Sequence, residues 1–79
     1  MVDPLNPIPL YHQLADEIAA DIKSGKIADR QRLPSESHLE QKHGLARGTV
    51  RRAIRLLRER GLAFTIQGRG TFVGQPPTG

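Results

Sequence analysis

Leu10, Leu14, Ile18 and Ile22, with Tyr11, Ala15 and Ala19 beside them, recur at helical spacing, while Asp16, Glu17, Asp21 and Lys23 fall outside that stripe. The pattern predicts an amphipathic helix starting at Leu10 and ending at Gly25, a residue suited to the left-handed conformation that closes helices. Ahead of it, Pro4, Pro7 and Pro9 predict an extended arm over residues 1–8. Ile27 and Leu33 then bracket a polar stretch with room for one brief strand. A short second helix follows, with Leu39 as its core residue. Its start is either Ser35, just after Pro34, or two residues later, where Ser37 and Glu40 have the spacing of a capping box. His43-Gly44-Leu45 closes it and returns Leu45 to the core.

A third helical pattern runs from about Arg47 to Arg60 and stops at Gly61. Two helices joined by a short turn containing glycine have the form of a helix-turn-helix. Leu62 to Ile66 and Thr71 to Val73 are β-prone runs on either side of Gln67-Gly68-Arg69-Gly70, which predicts a hairpin. The expected fold class is therefore mainly α with a small β-hairpin: a winged helix-turn-helix of three helices plus a wing, over residues 9–74. Residues 75–79, which include Pro76 and Pro77, read as a linker or frayed tail toward a separate C-terminal domain.

Charge sharpens this outline. Residues 1–45 carry five basic side chains against seven acidic ones, net −2, whereas residues 46–79 carry seven arginines against Glu59 alone, net +6. Such asymmetry implies a polyanionic partner for the C-terminal half, although charge runs also form solvated helix faces and a GC-rich genome also puts arginine in place of lysine. A helical wheel separates these readings. With Arg47 at zero, Val50, Ala53, Ile54 and Leu57 lie between about 240° and 340°. Arg47, Arg51, Arg55 and Arg58 lie between zero and about 80°, Gly48 near 100° and Arg52 near 140°. A buried face and a basic face are thus cleanly divided.

Residues near the start of such a helix reach base edges in the major groove, and later ones reach phosphates. Arg47 and Arg51, one turn apart, are the candidates for guanine, whose O6 and N7 accept two parallel guanidinium donors. Thr49 can meet a phosphate or a thymine methyl, and Gly48 shares that surface. Arg52 and Arg55 are candidate phosphate ligands, while Arg58 and Arg60 are expected to be exposed or paired with Glu59. At the wing tip, Gly68 and Gly70 permit close backbone approach and Arg69 can enter a minor groove.

Little else is indicated. Without cysteine there is no disulfide and no thiolate zinc site, which fits a reducing cytoplasm. No apolar run approaches a membrane span, and the first residues lack a signal peptide's basic and apolar blocks, so no membrane partner and a cytoplasmic location are expected. His12, His38 and His43 are too scattered for a catalytic or metal cluster and are expected to be ordinary surface residues. No enzyme activity, cofactor or metal is expected.

Four ordered blocks carry a family resemblance: Leu33-Pro34-Ser35-Glu36; Gly44-Leu45 with Arg47 and Thr49-Val50-Arg51-Arg52-Ala53; Gly61-Leu62; and Gln67-Gly68-Arg69-Gly70-Thr71-Phe72-Val73. Together they resemble the N-terminal domain of GntR-family bacterial transcription regulators over residues 8–73. Pro9-Leu10-Tyr11, with Gln13 and Leu14, is most similar to the HutC-type branch, and small actinomycete plasmid-transfer repressors are a closer group it resembles. The resemblance implies a repressor acting as a dimer on palindromic double-stranded operator DNA, with the dimer held by a C-terminal effector domain and this module monomeric alone. It also implies base contacts for Arg47 and Arg51 and phosphate contacts for Ser35 and Thr49. Gln67 and Gly68 would set the wing in the minor groove, and Glu36 would orient a neighbouring arginine.

Three positions depart from the family pattern. Ser37 stands where many members carry a DNA-contacting arginine. Ala46 removes a hydroxyl N-cap worth about 0.5–2 kcal/mol, and Gly48 costs roughly a further 1 kcal/mol of helix propensity. The first turn of the third helix is therefore expected to be loose until DNA binds. The rival to DNA recognition is a winged helix used for protein or RNA contact.

Overall fold

The computed structural model describes residues 2–76, so Met1 and the last three residues of the expected tail lie outside the described residues. Three helices and one hairpin follow in chain order: α1 (Leu10–Lys23), α2 (Glu36–His43), α3 (Arg47–Glu59), β1 (Ala63–Ile66) and β2 (Gly70–Val73). This is the expected winged helix-turn-helix. α3 lies mainly on α1, and α2 and β1 pack against α3.

The α1 stripe buries Leu14, Ala15, Ile18 and Ala19, and α3 buries Val50, Ala53, Ile54 and Leu57, the four positions grouped by the wheel. With Leu33, Leu39, Ala63 and Val73 they form one aliphatic cluster, and Leu14, Val50 and Leu57 are its largest fully enclosed side chains. Phe64 and Phe72 stand outside this cluster and stack on each other across the hairpin at 5.8 Å. A thin aliphatic core is the usual condition of a domain this small.

Local chemistry sets the ends of α2. Ser35 is its N-cap, with Oγ accepting from His38 N at 3.1 Å, which settles the start in favour of Ser35. Gly44 caps the other end in the left-handed region (φ 65°, ψ 38°), a conformation a Cβ would disfavour. The expected strand between Ile27 and Leu33 shrinks to a single bridge, Arg32 with Phe72. Leu33 N donates to Thr71 O and Val73 N to Gln31 O, so this segment edges the β1–β2 hairpin. The hairpin itself pairs Ala63 with Val73, Phe64 with Phe72, Thr65 with Thr71 and Ile66 with Gly70.

Three expectations are corrected. Residues 4–8 turn rather than extend. Asn6 N donates to Asp3 O, closing a turn in which Pro4 follows Asp3, and proline's fixed φ suits that position as well as it suits an extended chain. Gln13 then clamps the arm, accepting from Asp3 N and donating to Asp3 O and Ile8 O. Second, the His43 side chain is not a surface group: only 5% of it is exposed, because the last turn of α2 presses it against α1, with Nδ1 3.9 Å from Glu17 Oε2. Third, Arg60 pairs with Asp16 rather than Glu59. Its Nη1 lies 2.9 Å from Asp16 Oδ1, while His12 Nδ1 sits 3.0 Å from Oδ2 of the same carboxylate.

The hydrogen bond from Arg60, helped by the charges of His12 and Arg60 and opposed by partial desolvation, holds the Asp16 carboxyl below its ordinary pKa. A depressed carboxyl contributes stability that is present above its unfolded pKa and lost as pH falls through the folded one. Acid titration of Asp16→Asn should accordingly show a shallower loss of stability below the ordinary carboxylate range than the parent. Coincident acid limbs would remove Asp16 from the account.

The start of α3 is as bare as its sequence. Ala46 is the N-cap without any side-chain bond, no acid occupies the first turn, and Val50 N to Ala46 O at 3.1 Å is the first helical bond. Ala46 already has the extended geometry of an N-cap (φ −71°, ψ 152°), and a Cβ on Gly48 would meet nothing within 4 Å. Ala46→Ser should therefore add about 0.5–2 kcal/mol, and Gly48→Ala about 0.5–1 kcal/mol. Each kcal/mol corresponds to a rise in Tm of roughly 4–8 °C for a domain of this size. Amide exchange in the free protein should be faster at Val50 and Arg51, the first bonded amides of α3, than at Ile54, and equal protection would show that the first turn is already firm.

Candidate nucleic-acid interface

Burying Val50, Ala53, Ile54 and Leu57 turns Arg47, Arg51, Arg55 and Arg58 outward, and all four are exposed. Two of them meet α2 at matched spacing. Glu36 and Glu40 are four residues apart, as are Arg51 and Arg47, and the helices cross so that each carboxylate takes one guanidinium. Arg51 Nε lies 3.2 Å from both oxygens of Glu36, and Arg47 Nε lies 3.2 Å from Glu40 Oε2.

Such pairs add little stability. The Arg47 and Arg51 side chains are 58% and 60% exposed, and ion pairs in that setting are worth about 0–1 kcal/mol. Their effect is orientation. Each carboxylate engages Nε and leaves the terminal nitrogens open, and those nitrogens are the ones a guanine O6/N7 edge can accept from. The resemblance implied that Glu36 orients an arginine, and it does face Arg51. Glu40 was not foreseen, though the shared four-residue spacing of acids and arginines was its visible signal.

Arg52, on the other flank of the helix, lies over the Tyr11 ring at 4.1 Å. An exposed cation–π contact contributes about 0.5–1 kcal/mol and flattens the guanidinium against α1. Thr49 and Gly48 line the shallow groove beside it with Leu10, Tyr11 and Ala46. Arg55 is exposed and, among the described residues, has no paired carboxylate. Arg58 Nη1 instead donates to Thr65 Oγ1 at 3.0 Å, tying α3 to the hairpin.

The remaining candidates come from the start of α2 and the hairpin. Ser35 accepts a capping bond and keeps its hydroxyl proton available as a donor. Gln67, Gly68 and Arg69 form the exposed hairpin tip, closed by Arg69 N to Ile66 O at 3.0 Å. Ser35, Gln67, Gly68 and Arg69 line one cleft between α2 and the wing, together with Arg32 and Ser37. The ten candidate residues thus occupy two places: the outer face of α3 with its Tyr11 flank, and the cleft between α2 and the wing tip.

No group of three or more metal-ligating side chains occurs among the described residues, and no helix among them is long and apolar enough to cross a membrane.

This architecture defines a winged-helix DNA-binding domain. The structure of AraR(DBD) in complex with operator ORX1 superposes with a TM-score of 0.85 at 41% identity, covering 94% of this chain and 92% of that one. Residues 10–73 match the family described as bacterial regulatory proteins, gntR family, and the chain belongs to that family. Among its relatives, the HTH-type transcriptional repressor NagR of Bacillus subtilis is 39% identical over 71 residues, covering 90% of this chain and 29% of that protein. The histidine utilization repressor of Pseudomonas aeruginosa is 43% identical over 70 residues, covering 89% and 28%. The chain therefore spans under a third of the length of these relatives.

Substitutions separate the arginine roles. Arg47→Ala and Arg51→Ala should each cost about 1–3 kcal/mol of binding to a preferred duplex and relax preference at one base pair. Arg55→Ala should weaken every duplex alike and flatten the salt dependence by about one unit. Unchanged base preference after Arg47→Ala would remove that residue from base reading.

Proposed function

We propose that this chain is the operator-binding part of a transcriptional repressor acting as a homodimer on a palindromic site in double-stranded DNA. In this reading α3 enters the major groove, with Arg47 and Arg51 at base edges. Ser35, Thr49, Arg52 and Arg55 lie along phosphates, Gly48 lets the backbone come close, and Gln67, Gly68 and Arg69 bring the wing to a minor groove. The observation that carries it is the outward arginine face of α3, with two of its guanidiniums held from behind by Glu36 and Glu40.

The relatives add support, since two are named as repressors and the AraR domain is described in complex with its operator. Dimerisation and effector control belong to a C-terminal domain in this proposal, and the module alone is a monomer of modest affinity. Residues 2–8 are a folded-back arm to domain 9–74, and the segment from residue 75 leads toward the C-terminal domain. The protein works in the cytoplasm and needs no cofactor. Its narrower kinship with small actinomycete plasmid-transfer repressors rests on the sequence resemblance.

The test is selection of duplexes from a random pool, followed by chemical-shift titration of the chain with the selected duplex and with its scrambled core. Discrimination of about 10³ is the scale expected of specific binding when two modules are joined, with less for one. Shifts should concentrate at Arg47 to Arg55 and at the wing tip. Equal binding to both duplexes would overturn the proposal in favour of an RNA or protein partner.

A further inference from the structure

Most arginines of this domain have a partner: Arg47, Arg51 and Arg60 pair with carboxylates, Arg52 lies over Tyr11, Arg58 bonds Thr65, and Arg30 pairs with Asp29 and leans over Phe64. Among the described residues Arg32, Arg55 and Arg69 have none. Arg55 belongs to α3. The other two come from separate chain segments and line the same cleft at the wing.

The position of Arg32 follows from its pairing. Its single bridge to Phe72 puts the two side chains on one face of the hairpin, so the arginine runs along β2 toward the tip. There it lies on Gly70: a Cβ at that glycine would stand 2.6 Å from Arg32 Nε and 3.3 Å from Cζ. The missing side chain at Gly70 (φ 128°) is what lets the guanidinium lie against the wing, in the cleft that Arg69 also lines. The nearest acid lining the cleft, Glu36, has both oxygens on Arg51.

Both guanidiniums are exposed, have no carboxylate partner among the described residues and line one cleft, so together they favour a ligand with concentrated negative potential. A narrow minor groove over A·T-rich sequence supplies that potential, and arginine is the side chain that enters it. We propose that Arg32 joins Arg69 in making the wing a two-arginine reader of narrow, A·T-rich minor groove, so that affinity depends on base pairs α3 never touches. This rests on the wing placement proposed above and adds to it both a residue and a sequence class.

The experiment uses the selected duplex with its central site constant and its flanks either A·T-rich or G·C-rich, titrated by the full chain at several salt concentrations. The parent should prefer A·T flanks several-fold. Arg32→Gln and Arg69→Gln should each bring that ratio close to one and lower the salt slope by about 0.9, leaving discrimination against a scrambled core intact. Arg32→Lys should keep the slope and lose much of the flank preference, because an ammonium lacks the flat guanidinium. Equal affinity of the parent for both flanks overturns the inference. So does an Arg32→Gln protein that retains the parent's flank ratio, or whose weaker binding only tracks a fall in Tm. Loss of core discrimination in the parent would instead defeat the operator reading, and the flank ratio would still report on the wing.

Discussion

The arrangement depends on the rotation of α3 about its own axis, set by burial of Val50, Ala53, Ile54 and Leu57 in the cluster shared with α1. Enclosing a side chain of this kind is worth about 1.5–3 kcal/mol relative to exposure. Against that, the exposed ion pairs of Arg47 and Arg51 contribute little. Hydrophobic burial therefore decides which way the arginines face, and the carboxylates only refine the aim. Rotating α3 by one residue would bring arginines toward the core and expose Val50 or Leu57, at a cost this small domain has no reserve to meet.

Once α3 is seated, its neighbours divide the arginines by role. Glu36 and Glu40 restrain the two nearest the helix start, Tyr11 flattens one on the far flank, and Thr65 ties another to the hairpin. Arg60 leaves the face altogether for Asp16 on α1. The net charge of +4 consequently understates how unevenly positive charge is available. The unrestrained guanidiniums lie toward the wing and along the middle of α3, where a polyanion can engage them without first displacing a carboxylate.

The start of α3, bare of a side-chain cap, lies at the proposed point of contact. α3 begins without a side-chain cap and with a glycine in its first turn, while its second and third turns are locked by the core. A recognition helix rigid behind and unsupported in front can adjust its first turn to a partner without disturbing the fold. That separation costs stability locally and keeps Arg51, Arg55 and Arg58, on the later turns, in register.

What the sequence determined by itself was whatever depends on neighbours along the chain. Helical periodicity placed α1 and α3 and identified the buried face of α3, a serine after proline marked one possible start of α2, and Gly68 and Gly70 announced the hairpin. Arg47, Arg51 and the wing tip were legible as candidates for the same local reasons. Only the tertiary structure decided contacts between distant segments: Glu40 with Arg47, Tyr11 under Arg52, Asp16 taking Arg60 from Glu59, His43 enclosed against α1, and Arg32 on Gly70. It also decided that the arm holding Pro4 and Pro7 folds back, because Gln13 bonds the backbone of Asp3 and Ile8. Periodicity tells which face of a helix is apolar, but not which element will cover it. Pairings of polar side chains carry too little energy to be written into a pattern, and they appear only after burial of the core has brought their partners within reach.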